Sequence, residues 1–154
     1  MTGLYRPEPG DLWFRKEMLS DPDTMSYNDA WGGTIPFPEE DWTEWYDHWV
    51  LSSGGKRYYR YITDGEGSFV GEIAYHYDPD RGIHLADVII HAPERGKGYG
   101  GQALDMLCSA AREAGIKFLY DDIAIDNPAV KMFLGHGFTE EYRTDEIIML
   151  RKDL

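Results

Sequence analysis

Cysteine is almost missing from this 154-residue chain, with Cys108 as its single representative. One thiol excludes an internal disulfide, supplies no metal cluster by itself and fits a reducing compartment. Long apolar runs are also missing: none approaches the roughly 18 residues of a membrane-spanning helix. The opening Met1-Thr2-Gly3-Leu4-Tyr5-Arg6-Pro7 lacks the charged-then-apolar build of a secretory leader. A soluble, cytoplasmic protein is therefore expected. Positive charge is scarce, with 15 Lys and Arg against 28 Asp and Glu and a net charge of -13. Such a surface repels phosphate backbones and anionic membranes and favours cationic ligands, so neither nucleic acid nor membrane is an expected partner. Internal repeats and low-complexity tracts are absent, and the length suits one compact domain spanning 1–154.

The residues that are present divide unevenly. Residues 1–55 hold all five tryptophans and eleven Asp or Glu against three Lys or Arg, whereas 56–154 is punctuated by glycine. In the first part, Leu4 to Arg6 predicts a short strand and Asp11 to Leu19 a helix. Asp21 to Pro38, rich in turn formers, reads as an irregular loop. A firmer helix is predicted from Pro38 to about Leu51, with Glu39, Glu40 and Asp41 in its first turn, where acids suit the helix dipole. Trp42, Trp45, Tyr46 and Trp49 recur along it at one-face spacing, and Ser52-Ser53-Gly54-Gly55 stops it.

Strand signals follow at Arg57 to Thr63, Ser68 to Tyr77 and Ile83 to His91, joined by short turns that imply an antiparallel meander. From Gly98 to Ala114 the period changes, with Leu104, Leu107, Cys108, Ala111 and Ala114 on one helical face and Gly115 as its stop. A strand from Phe118 to Ile125, a short helix ending at Gly135 and a strand pair, Phe138 to Arg143 and Glu146 to Arg151, close the chain. The class is α+β, with helices on the faces of one mostly antiparallel sheet.

The chemistry concentrates where the apolar strand Val88-Ile89-Ile90 meets Arg95-Gly96-Lys97-Gly98-Tyr99-Gly100 and then a helix. Glycines at a strand-to-helix turn let successive backbone N–H groups face one concavity, and the helix N-terminus adds partial positive charge. That arrangement suits a phosphate or pyrophosphate. A Walker loop is excluded because Gly98, not Ser or Thr, follows Lys97. A dinucleotide fingerprint is excluded because a meander, not a βαβ unit, leads into the turn.

Arg95, Gly98 and Gly100 match Arg/Gln-x-x-Gly-x-Gly/Ala, and this segment resembles the acyl-CoA loop of the GNAT superfamily of N-acetyltransferases. The surroundings resemble it too, over roughly Lys56 to the C-terminus: a preceding apolar strand, a following helix, a strand, Asn127 near a short helix, and Gly137-Phe138. The resemblance implies a GNAT-like fold, a central mixed, mostly antiparallel sheet of six to seven strands flanked by about four helices. Within it, residues 1–55 lie where the acceptor-side helices and loop are built, and 56–154 form the acyl-CoA-binding core. It implies acetyl-CoA as the acyl donor, no metal, and a homodimer as a common assembly among look-alikes.

Acyl transfer to an amine needs a deprotonated nucleophile, a polarised thioester and a protonated leaving thiolate. An aliphatic ammonium titrates near 10.4, about the value of Lys, so a carboxylate or water relay must take its proton. The resemblance implies that the strand's end opens from its neighbour and that main-chain N–H groups around Ile89 and Ile90 bind thioester and pantetheine. Asp87 matches a recurring acidic position and shares a strand face with Ile89 and His91, which makes it the favoured base; a solvated strand residue would look the same. Glu72, on the neighbouring strand, suits action through water or a surface ion pair. His84 and His91 are not favoured. Asn127 suits a cofactor contact or a turn before Pro128, and its spacing to Gly137 is one residue shorter than the commonest in the family, so Asp126 is the alternative. Many family members carry Tyr four residues before the Gly of Gly-Phe as general acid, whereas this chain has Phe133. Phe133 can pack against the cofactor but donates no proton, leaving Tyr142, a water, or unaided departure of the thiolate.

The acceptor expected is a small primary amine, cationic in view of the acids and the aromatic face of the 38–51 helix. The same face at helical spacing is more often a core-packing signature. Two other functions compete: a catalytically weak acyl-CoA-binding regulatory module, suggested by Phe133, and an acetyltransferase of protein N-termini or lysines.

Overall fold

The computed structural model describes residues 1–52 and 54–154, so the Ser53 part of the expected helix stop lies outside the described residues. Seven strands form one sheet: β1 (Gly3–Tyr5), β2 (Arg57–Thr63), β3 (Phe69–Asp78), β4 (Ile83–Ile90), β5 (Phe118–Ala124), β6 (Thr139–Arg143) and β7 (Ile147–Asp153). Their spatial order is β1-β2-β3-β4-β5-β7-β6. Every neighbouring pair is antiparallel except β4 and β5, which run parallel and are in register at Leu85 and Tyr120 alone. The expected mixed, mostly antiparallel sheet is thus present. Beyond Leu85 the β5-facing edge of β4 has no strand partner among the described residues, which opens the sheet at its centre.

Helices cover both faces. On one lies α3 (Tyr99–Glu113), whose Leu104, Leu107, Cys108 and Ala111 are buried against Ile73, Tyr75, Ala86, Leu119, Ile123 and other sheet residues. Fully burying a Leu contributes about 1.5–3 kcal/mol relative to leaving it exposed. The helix ends where the sequence predicts: Gly115 has φ +86°, and the N–H of Ile116 donates to the Ala111 carbonyl, a left-handed cap that only glycine adopts cheaply. The other helix on this side, α4 (Ala129–Gly135), buries Phe133 against Phe138.

On the opposite face, α1 (Leu12–Ser20) buries Leu12, Phe14, Met18 and Leu19. The helix expected from Pro38 to Leu51 is there, but in three geometries: a 3-10 turn over Glu39–Asp41, α2 over Trp42–Tyr46 and a π turn over Asp47–Leu51. Tyr46 is buried and donates its hydroxyl to the Pro7 carbonyl at 2.7 Å, while Trp42, Trp45 and Trp49 pack against the clusters around α1. The aromatic face therefore contributes to core packing, while Trp45 and Trp49 also line a surface cleft.

The segment expected as an irregular loop is more ordered than its composition suggests. A 3-10 helix spans Ser26–Trp31, and Thr24 and Met25 are fully buried. The Asp21 carboxylate accepts from the Thr24 hydroxyl at 2.6 Å and the Asp23 N–H at 3.1 Å, closing a turn of the kind that Asp side chains favour. Among the described residues no helix is long and apolar enough to cross a membrane.

Candidate active site

A cleft of about 1780 Å³ runs through the gap between β4 and β5, from the α1/α2 face of the sheet to the N-terminus of α3. Strand alternation decides what each wall presents. On β3 and β4, Ile73, Tyr75, Ala86, Val88 and Ile90 join the α3-side core, so Glu72, Ala74, His76, Asp87 and Ile89 face α1 and α2.

At the α3 end, Gly96 and Gly98 adopt φ +77° and +88°, and Gly98 is the residue that opens the helix. The first N–H groups of α3 have no partners within the helix and face the cleft end, where the dipole adds positive potential. At Gly100 the space is tight: a Cβ there would stand 2.7 Å from the sulfur of Met132, which would have to shift, and 3.5 Å from Ile90. Tyr99 and Gly100 line the cleft with Gly96 and Gly98. Lys97 does not line it, and its ammonium instead pairs with Glu94 at 2.9 Å. Arg95 lines the cleft, but its guanidinium donates to the carbonyls of Asp23 at 3.1 Å and Thr24 at 2.5 Å. The Thr24 hydroxyl completes this clasp by accepting from the Ala92 N–H at 3.0 Å. The glycine loop is thus tied to the first third of the chain.

In the middle of the cleft, Ile89 and Ile90 lie opposite Glu72 and Gly71 on β3. The His91 N–H donates to the Val70 carbonyl, and the alternation this sets turns the main-chain groups of Ile89, one of the two expected cofactor contacts, to β3 and those of Val88 and Ile90 to the gap. Asp87 is exposed, and its Oδ2 is 3.0 Å from Nδ1 of His76 on β3. That hydrogen bond raises the His76 pKa above its ordinary value, opposed by partial burial. Glu72 is 5% exposed, so burial raises its pKa, against the pull of the Arg15 cation and of the Tyr59 hydroxyl, which donates to it at 2.8 Å. Nearby, burial and the charges of Glu72 and Asp87 push the Tyr27 hydroxyl up to about 12.

The other wall is formed by β5 and the turn that carries the chain into α4. Asn127 lines the cleft while its Oδ1 accepts from the Ala129 N–H at 2.9 Å, so its side chain makes the turn that starts α4. Phe133 is 1% exposed and stands edge-on to Phe138 with ring centroids 5.0 Å apart. Tyr142 is exposed on β6 and lies away from the cleft lining. His84 is also outside the lining. His91, too, is no part of it, packing edge-on against Phe14.

Among the lining residues that escaped the sequence reading are His76, Asp121 and Arg15. Asp121, on β5, is raised well above the ordinary carboxylate range by burial and by Asp87 and Asp122. The signal for it was a pair of acids inside an otherwise apolar strand. Arg15, on α1, lies with its guanidinium carbon 4.5 Å from the Trp45 ring centre and 4.7 Å from that of Phe37. No local pattern marks it, because its partners come from separate elements.

The arrangement joins an anion-binding loop, a main-chain edge without a strand partner and buried carboxyl groups in one continuous space. A family model for the Acetyltransferase (GNAT) family matches residues 17–138. No curated protein matches by sequence. Among solved structures, the spermidine N-acetyltransferase from Vibrio cholerae in complex with CoA and spermine superposes with a TM-score of 0.82 at 19% identity, over 99% of this chain and 95% of that one. The acetyltransferase (GNAT family) from Bacillus anthracis gives 0.76 at 19% identity, over 97% and 93%. The GNAT domain of S. lividans PAT gives 0.78 at 16% identity, over 99% and 89%. At these identities the likeness is one of fold, and with the family model covering most of its length, the chain belongs to the Acetyltransferase (GNAT) family.

Proposed function

We propose that the chain is an N-acetyltransferase that moves the acetyl group of acetyl-CoA directly to the primary amine of a small acceptor, which arrives as the ammonium cation. The observation that carries this reading is the single cleft through the β4–β5 gap, with the glycine loop at one end and Glu72 and Asp87 on the opposite sheet face. Its division of labour follows the chain, with 1–55 building the acceptor side and 56–154 the acyl-CoA side.

The backbone N–H groups of Gly96, Gly98, Tyr99 and Gly100 hold the pyrophosphate, with Arg95 fixing the loop. The gap-facing main-chain groups of Val88 and Ile90 take the pantetheine and polarise the thioester carbonyl, stabilising the oxyanion that forms. Asn127 shapes the turn at the cofactor wall, and Phe133 packs behind it. Asp87, aligned by His76, accepts the ammonium proton, and Glu72 assists through water. The freed amine attacks the carbonyl carbon, a C–N bond forms and the C–S bond breaks. Phe133 has no proton to give, so the CoA thiolate takes one from Asp121 or from water.

Two experiments test these assignments. Incubation with acetyl-CoA and a panel of amines should release free thiol with formation of N-acetylated product. Gly98→Trp or Gly100→Trp, if folded by circular dichroism, should abolish CoA binding in calorimetry; unaltered affinity would remove the loop from the site. Phe133 favours one second reading, a module that binds acyl-CoA with little turnover. Tight CoA binding without thiol release across the panel would select it.

A further inference from the structure

The side chain of Arg15 is oddly placed for a structural residue. Its Nε is buried with no hydrogen-bond partner, and the nearest oxygen, Oε1 of Glu72, is 3.5 Å away. Among the described residues Nε is the one buried side-chain polar atom left without a hydrogen-bond partner. It is 17% exposed and lines the cleft. The rings of Trp45 and Phe37 hold it from the sides by cation–π contact, which fixes the direction of the fork without using any N–H. Glu72 compensates it only in part, because burial favours the neutral carboxyl and Tyr59 already occupies the same Oε1.

A buried Nε–H without a partner costs stability unless something in the working state pairs with it. The aromatic face that would otherwise attract a cationic acceptor is already occupied by this arginine. Resting on the acetyltransferase reading, we propose that the acceptor is a small amino acid: its carboxylate binds the Arg15 fork while its ammonium points to Asp87. The spacing suits a short molecule. Glu72 lies beside Arg15 and pairs across the ladder with Ile89, two residues from Asp87, and such diagonal positions are about 7–8 Å apart at most. An acceptor with its amine and acid a few bonds apart fits that spacing. An arginine is the residue that recognises a planar carboxylate through two parallel N–H bonds.

The test compares each of a panel of L-amino acids with its own carboxamide, which keeps the amine and side chain and removes the anion. With acetyl-CoA present, thiol release should favour at least one free acid over its amide by tenfold or more in kcat/KM. Arg15→Gln should bring that ratio toward one, chiefly by raising KM for the acid. Amides or simple diamines used as well as the acids, or a ratio unchanged in a folded Arg15→Gln, would overturn the proposal. Calorimetry of the CoA-bound wild type with the same pairs separates the two levels. Acid binding without turnover, weakened in the amide, upholds the carboxylate site and defeats the acetyltransferase reading. Equal or no binding of acid and amide defeats the carboxylate site whatever the turnover with other amines.

Discussion

Asp87 stands half exposed on β4 with His76 across the ladder as its hydrogen-bond partner. A positioned general base of this kind is worth about 10²–10⁴ in rate. Asp87→Asn should therefore lower kcat/KM at least 100-fold at neutral pH while calorimetry finds CoA affinity within about twofold of wild type; an unchanged rate removes Asp87 from the chemistry. The same pair carries a pH signature. The His76 pKa is raised in the folded protein, so its contribution to stability is complete below the unfolded imidazole value of about 6.5 and is lost as pH rises through the folded value. Both groups are partly exposed, which limits the effect to under about 1 kcal/mol. Denaturant titration of His76→Ala should show a larger loss at about pH 6 than at about pH 9; the reverse order would contradict the pairing. Tyr59→Phe removes the hydroxyl donor that keeps buried Glu72 tolerable, and should cost about 1–3 kcal/mol in the same measurement.

The turn from β4 into α3 shows how far local pattern reaches. Gly98 sits at φ +88°, where a side chain costs about 1–2 kcal/mol. Gly98→Ala should lower stability by that amount and weaken CoA binding severalfold; a neutral result would mean that the turn relaxes without loss. In α3 itself, Leu107 is fully buried, and Leu107→Ala should cost about 2–5 kcal/mol by denaturation. These elements were legible because their signals are local: glycine spacing, the change of hydrophobic period and the Gly115 stop. The 21–38 segment was not, because what orders it is distant. Thr24 and Met25 are buried by contacts across the chain, and the Thr24 and Asp23 carbonyls meet Arg95, a residue that the motif assigned to the cofactor. The aromatic stripe of α2 illustrates the same limit. Spacing predicts one shared face but not its occupant, which proves to be Arg15.

For the molecule as a whole, the net charge of -13 should draw an ammonium-bearing acceptor to a cleft whose far wall carries Asp122, Asp126, Asp145 and Glu146. Raising ionic strength from about 0.05 to about 0.5 M should increase the KM for a diamine more than that for a neutral-charge amino acid, because screening acts on the net field. Equal salt dependence would argue against steering. The order of elements was legible and the place of the cleft came from the family resemblance, whereas the acidic wall and Arg15 depend on which side chains the folded sheet brings together. The central claim is that binding at the glycine loop and chemistry at Asp87 belong to one reaction. Its most direct test is thiol release from acetyl-CoA with the amine panel, the product identified by mass spectrometry, for wild type and Asp87→Asn side by side. The account predicts an N-acetylated product from wild type and at least a 100-fold slower reaction from a variant that still binds CoA. CoA binding with no acetylated product from any amine would contradict it.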